Sequence, residues 1–309
     1  MKRSLLSVFF LYCLLTIILT FPLITKMSTA TYGYSGDNFG AIHYAWWWKY
    51  TKLNNLPVRN SFLEEVPFGV TIDNESGAIF YYWPVKALTL FTNEVFAYNF
   101  ILLLGFPLAG LAMYLLMYSQ VKRRGISFIA GFIFAFAPYH FWKAYNHLDL
   151  SLIWPIPFYV WSVMRISADC RNNKRRLALI TDALIGGGLL AVTFLTNFYY
   201  GYFMLLFTGA FFATQLLFHI ISKRSLLCFG KGETLGKILF SYLSIFCLAA
   251  LLISPFIFPV LSDARQPAKS DQSFLRRDSY QRPILNLLSL SARPWDYFIP
   301  SADHPVFGP

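Results

Sequence analysis

Long apolar runs alternate with short polar interruptions along most of this chain. The first extends from Leu5 to Ile24, behind Met1-Lys2-Arg3, and others cover 95–119, 126–142, 150–168, 178–197, 199–221 and 238–262. Most approach or exceed the roughly 20 residues that cross a bilayer. The pattern predicts seven membrane-spanning helices. The first reads as a retained span, because its apolar run outlasts a signal-peptide core and no small-x-small cleavage site follows promptly. Pro138 stands near the end of the third run, Pro155 and Pro157 lie in the fourth, and Gly186-Gly187-Gly188 lies in the fifth. Small residues there let neighbouring helices approach closely. Asn197 marks a tight turn between the fifth and sixth runs.

Two polar stretches are long, 25–93 and 263–309. The first holds Asp37, Glu64, Glu65, Asp73 and Glu75 and is punctuated by Pro57, Pro67, Gly69 and Gly77. Within it, residues 78–92 are apolar but interrupted by Pro84 and Lys86. That segment is too short to span comfortably and reads as an interfacial amphipathic helix. The expected organisation is a transmembrane bundle over 1–262, with loop 25–93 between its first two spans. Residues 263–309 read as an outer-face segment that is incomplete.

Composition agrees with a multi-pass all-α membrane protein. Hydrophobic residues make up 56% of the chain and charged residues 13%, against about 25% charged in soluble domains. The net charge of +11 would suit nucleic acid if it were gathered on one tail or stripe. Instead most basic clusters lie in short links such as Lys122-Arg123-Arg124 and Arg171 to Arg176. Seven spans from an inside N-terminus put 14 Lys and Arg in the inside segments and 12 in the outside segments, which are about three times longer. That asymmetry is the positive-inside rule. It predicts an inner cell membrane protein with a cytoplasmic N-terminus, and no nucleic-acid partner. Cys13, Cys170, Cys228 and Cys247 all lie outside the predicted outer segments, so no structural disulfide is expected, and their spacing matches no metal site.

With that orientation, the candidate chemistry gathers on the outer face. Gly36-Asp37-Asn38 opens a polar, aromatic stretch with Tyr34, His43, Trp46, Trp47 and Trp48. A carboxylate at Asp37 can serve as a general base or a metal ligand, or it can sit in a solvated Asx-turn. Asn146-His147-Leu148-Asp149 lies in the link between the third and fourth runs, with His140 and Lys143 just before it. His147 and Asp149 could hold a divalent cation or a pyrophosphate, and Asp149 could equally be a helix N-cap. Tyr199 and Tyr200 could stack on a sugar ring or belong to an interfacial aromatic belt. Asp182, at the inside end of the fifth run, reads as a snorkelled surface pair with Arg175 or Arg176. The chain has no nucleotide-loop, zincin or serine-hydrolase motif in a usable context.

This layout resembles the GT-C superfamily of membrane glycosyltransferases, including the protein O-mannosyltransferase-like and arabinosyltransferase-like enzymes. The likeness rests on an early Asp in a long first outer loop, an interfacial helix, and a second acidic/His cluster between the third and fourth spans. Tyr98-Asn99, Ala109-Gly110-Leu111-Ala112-Met113-Tyr114 and Phe134-Ala135-Phe136-Ala137-Pro138-Tyr139 carry it further. The resemblance implies a polyprenyl-phosphate sugar donor, transfer on the outer face with inversion, and Asp37 as the catalytic carboxylate. It implies that His147 and Asp149 match the second acidic motif, where many members carry two acids and this chain has His-x-Asp. Lys143 and the last segment's Arg265, Arg276 and Arg277 are candidates to neutralise phosphate charge. No cofactor is demanded, although a divalent cation on His147 and Asp149 fits the pattern. The alternative is a non-enzymatic multi-pass protein, either a transporter or an envelope-assembly subunit. A transporter should carry an inverted repeat and mid-membrane charges, and the spans read as poor in buried charge.

Overall fold

The computed structural model describes residues 2–34, 36–58, 60, 61, 63, 70, 71, 79–171, 176–221 and 232–265. The chain divides into two units, Met1–Val260 and Leu261–Pro309. The architecture below belongs to the first. It is an all-α membrane protein: apart from a two-residue antiparallel ladder of Asn60–Ser61 with Val70–Thr71, the regular structure among the described residues is helical.

The spine of the fold is α4 (Glu94–Val121). Its N-terminus is well defined because the Asn93 side chain accepts from the Phe96 N–H at 2.7 Å, and Glu94 puts a carboxylate in the first turn. Both satisfy or complement the orphan amides of a helix start. At about 1.5 Å per residue, its 28 residues span about 40 Å. α1 (Lys2–Leu19) and α5 (Arg124–Ala135) pack against α4. The Tyr12 hydroxyl donates to the Phe128 carbonyl at 2.9 Å, and its ring stacks on Phe128. That side chain lies against Gly110 and Gly131; an added side chain would collide with it at Gly131 and press on it at Gly110.

The second half is another antiparallel set: α8 (Pro155–Arg171), α9 (Arg176–Thr196), α10 (Phe198–Ile221) and α11 (Gly232–Arg265). Its core joins Tyr159, Val163, Ile166, Leu190, Ile238 and Ile245. Gly186 and Gly187 let α9 approach Ile245 and Leu248 of α11 closely, as expected of small residues at a helix crossing.

Among the described residues, four helical segments are long and apolar enough to cross a membrane: Glu94–Val121, Leu177–Thr196, Phe198–Leu217 and Gly236–Phe258. A fifth is formed if α5 and α6 (Pro138–Ala144), bent by 41° at their junction, count as one broken span. α1 contributes only the shorter apolar helix Leu5–Leu19. The third apolar run is therefore not one straight helix. α5 alone has 12 residues, about 18 Å, and Pro138 opens α6 at its first position, where a missing N–H costs nothing.

The fourth run also starts later than its hydropathy predicts. Residues 148–151 form a separate turn, α7 (Leu148–Ser151), and α8 begins only at Pro155. The polar-aromatic stretch is helical as α2 (Asp37–Leu53), with Ala41, Ala45, Trp47 and Thr51 buried. α3 (Ile79–Thr89) contains Pro84 and lies against α2, α4 and α9.

Asp182 departs from its expected surroundings. It is buried on α9, and its Oδ1 lies 3.1 Å from Arg165 Nε on α8. The neighbouring helix α8 supplies Arg165 as a partner because α8 and α9 pack side by side; Arg175 and the Arg176 side chain lie outside the described residues. Asp169 is buried too, so this half of the bundle holds more buried charge than its sequence suggests.

Candidate functional site

Asp37 is presented at the start of α2 by a loop that α4 holds in place. Asn99 is fully buried on α4, and its amide donates to the carbonyls of Met27 and Ala30 at 2.8 and 2.7 Å. Asn93 adds a bond to the Ser28 carbonyl at 3.0 Å. Beyond this anchor, Asn38 organises the turn. Its Oδ1 accepts from the Gly36 and Phe39 amides at 2.9 and 3.0 Å, and its Nδ2 donates to the Tyr34 carbonyl at 3.1 Å. Asn38 thus makes the side-chain-to-backbone bonds of an Asx-type turn. That leaves Asp37, its neighbour, projecting from the first turn of α2, where the helix dipole favours an anion.

The opposite wall comes from the α6–α7 connection. Tyr145 packs against Gly33 so closely that a side chain at Gly33 would strike Tyr145 backbone, and Gly33 itself has φ +93°. Only glycine takes that conformation readily. Tyr32 stacks on the Tyr145 ring at 5.0 Å with the planes 4° apart, and Tyr34 lies at 6.3 Å from the same ring. Burial first, then the neighbouring Tyr145, pushes the Tyr32 hydroxyl up to about 12. Asn146 Nδ2 donates to the Tyr34 hydroxyl at 3.4 Å.

The two walls close on one polar contact. His147 Nδ1 lies 3.1 Å from Asp37 Oδ2, with the side chains 31% and 77% exposed respectively. Residues separated by 110 positions are thereby joined in an accessible acid–imidazole pair. Asp37 Oδ2 engages one ring nitrogen, and a carboxylate so placed fixes the orientation of the imidazole. His147 is the N-cap residue of α7, and Asp149 sits in that helix's first turn. Asp149 is therefore not the N-cap that its position before Leu150 and Ser151 suggested.

His147 and Asp149 face different partners. Asp149 Oδ2 accepts from Asn197 Nδ2 at 2.7 Å, while Asn197 Oδ1 accepts from the Tyr199 amide at 2.9 Å. The break between α9 and α10 is thus built around a buried asparagine that holds the second carboxylate. Among the described residues, no three His, Cys, Asp or Glu side chains gather into a metal-ligand set.

The other candidates are spread around this centre. Lys143 reaches over the Tyr139 ring at 5.8 Å, and its carbonyl accepts from the His147 amide at 2.8 Å. Tyr199 is exposed. Tyr200 is buried, its hydroxyl held by Tyr139 and by the Leu150 carbonyl, so its ring belongs to the protein interior. His140 is also internal, stacked 4.0 Å from Phe106 with Nδ1 at 2.6 Å from the Ala135 carbonyl. The side chain of Arg265, and Arg276 and Arg277 entirely, lie outside the described residues, as do Glu64, Glu65, Asp73 and Glu75.

Sequence reasoning named Asn146 with His147 but missed the contribution of Tyr145 and the Asn197–Asp149 contact. Tyr145 and Asn146 adjoin His147, so their proximity to the site was available from adjacency alone. The Asn197 contact needs the tertiary fold. No family model, curated protein or solved structure matches this chain.

Proposed function

We propose that this protein is a GT-C-type inverting glycosyltransferase that moves a sugar from a polyprenyl-phosphate donor to an acceptor hydroxyl on the outer face of the inner cell membrane. The observation that carries this reading is the 3.1 Å approach of His147 to Asp37. It unites the two segments to which the GT-C resemblance gives the chemistry.

In the reaction, the second carboxylate oxygen of Asp37 takes the proton of the acceptor hydroxyl as that oxygen attacks the anomeric carbon. The sugar–phosphate bond breaks, and the phosphate leaves with the bonding pair. His147 Nδ1 lies against Asp37 Oδ2 and holds the base in place, and His147 engages the donor phosphate through a cation or water, so base and leaving group share one frame. Lys143 supplies further positive charge to the phosphate. Asp149 is held by Asn197 to orient the same end of the donor, and Tyr199 offers an exposed ring face to a sugar.

The same reading gives seven crossings and a cytoplasmic N-terminus. α1 and α8 cross alongside the four long segments, α5 and α6 cross as one broken span, and α3 lies at the interface. A cysteine introduced at the exposed Asn54 of the first loop should then react with an impermeant reagent in intact cells; reaction only after lysis would reverse the orientation.

The decisive assay offers labelled polyprenyl-phosphate sugars to membranes containing the full chain. Asp37→Asn should insert normally and lose roughly 10²–10⁴-fold in rate, the range for a lost general base. Asp73→Asn should stay near wild type. Retention of more than about a tenth of the rate by Asp37→Asn would remove the catalytic assignment.

A second reading, a transporter, draws on buried Asp169 and Asp182, since ionisable groups inside a membrane bundle mark transport paths. It predicts that Asp182→Asn abolishes solute uptake and that no labelled sugar is transferred by the wild type.

A further inference from the structure

At the end of α4 remote from Asp37, a partly open cavity of about 260 Å³ lies between α1, α4, α5 and α8. Leu5, Leu115, Phe158 and Trp161 contribute to an apolar wall, and Lys122 and Arg124 stand at its rim. Both cations are exposed, and among the described residues neither is paired with a carboxylate. Lys122 ends α4 in the left-handed conformation, at φ 55°. Glycine would adopt that backbone at less cost, so the residue's value here is its charge. The neighbouring Arg165, although 5.3 Å from the Trp161 ring, is already matched by Asp182.

We propose that this cavity binds an anionic glycerophospholipid, with an acyl chain against Leu115, Phe158 and Trp161 and the phosphate between Lys122 and Arg124. The geometry suits a membrane position. α4 spans about 40 Å against a hydrocarbon core of about 30 Å, so its terminal lysine reaches the headgroup layer. Apolar wall and cationic rim together select an amphiphile with net negative charge. A zwitterionic lipid brings its own cation to the rim, and a soluble phosphate makes no use of the wall. Basic pockets between helices at this level are a recurrent way of recognising anionic headgroups.

The test uses the purified full chain in neutral detergent and lipids brominated on the acyl chain, which quench nearby tryptophan. Brominated phosphatidylglycerol should quench a component that Trp161→Phe lacks. It should do so at roughly 25-fold lower concentration than brominated phosphatidylcholine, taking about fivefold for each basic residue. Lys122→Gln with Arg124→Gln should erase that preference, Arg123→Gln should keep it, and soluble glycerol phosphate should not compete. Equal quenching by the two lipids overturns the proposal and needs only the wild-type protein. So does a preference that survives in the double variant, or displacement of the lipid by glycerol phosphate.

Discussion

Two acid–base contacts of the same length lie in different settings. His147–Asp37 and Arg165–Asp182 each close at 3.1 Å, but Asp37 is 77% exposed while Asp182 is 2% exposed. An exposed pair contributes about 0–1 kcal/mol, too little to hold two loops together. Its geometry is therefore a product of the scaffold: Asn99 and Asn93 fastening the first loop, Asn38 shaping the turn, and Gly33 seated on Tyr145. Arg165–Asp182 is the reverse case. It ties two packed helices, and its buried carboxylate would be costly without a compensating charge. One pair is positioned by the fold and left open to solvent, whereas the other takes part in holding the fold.

Breaking the second pair should have the larger effect on stability. Arg165→Leu should destabilise the protein by about 3 kcal/mol, the low end for a broken buried pair because the arginine is partly exposed. Reversible denaturation in detergent measures this, and a loss no greater than that of His147→Gln would dissolve the distinction. Next comes Gly33→Ala, which should cost at least 1–2 kcal/mol from the left-handed backbone alone. It should also prise the two walls apart. A short-arm reagent that cross-links Asp37→Cys to His147→Cys in the native background should then fail.

Asn197→Ala should follow, at about 1.5 kcal/mol, the low end for a hydrogen bond to a charged group. Faster amide exchange confined to residues 148–151 and 197–201 would register it. His147→Gln should be the mildest in stability, below about 1 kcal/mol, while still lowering sugar transfer. If it unfolds the protein, the pair was structural after all.

Much of the helical layout is legible in the sequence. The run 95–119 becomes Glu94–Val121, and the turn at Asn197 falls between α9 and α10, because polar residues there interrupt otherwise unbroken hydrophobicity. Hydropathy fails where the backbone changes direction inside an apolar stretch. Phe136, Ala137 and Pro138 are as apolar as a continuous span, yet they mark the 41° bend between α5 and α6. α2 was hidden for the opposite reason. Its buried positions are mostly small or polar, Asn38, Ala41, Ala45 and Thr51 beside Trp47, while its many aromatic rings obscure the helical period. Asp37, His147 and Asp149 were visible as candidates because acids and histidines are scarce here. Their pairing was not, since it depends on how α4 brings remote loops together. Asp182 illustrates the same limit: its ion pair with Arg165 on the adjacent helix depends on the packing of α8 against α9.

The contact between Asp37 and His147 also imposes an order in time. The carboxylate is synthesised 110 residues before its imidazole, an interval of roughly ten seconds at ordinary elongation rates. Asn197, which secures Asp149, follows 50 residues after His147. During synthesis the first loop must therefore wait while α4, α5 and α6 are made before His147 arrives. The site is assembled by the ribosome's progress, and a nascent chain halted before residue 197 would hold the pair without its clasp.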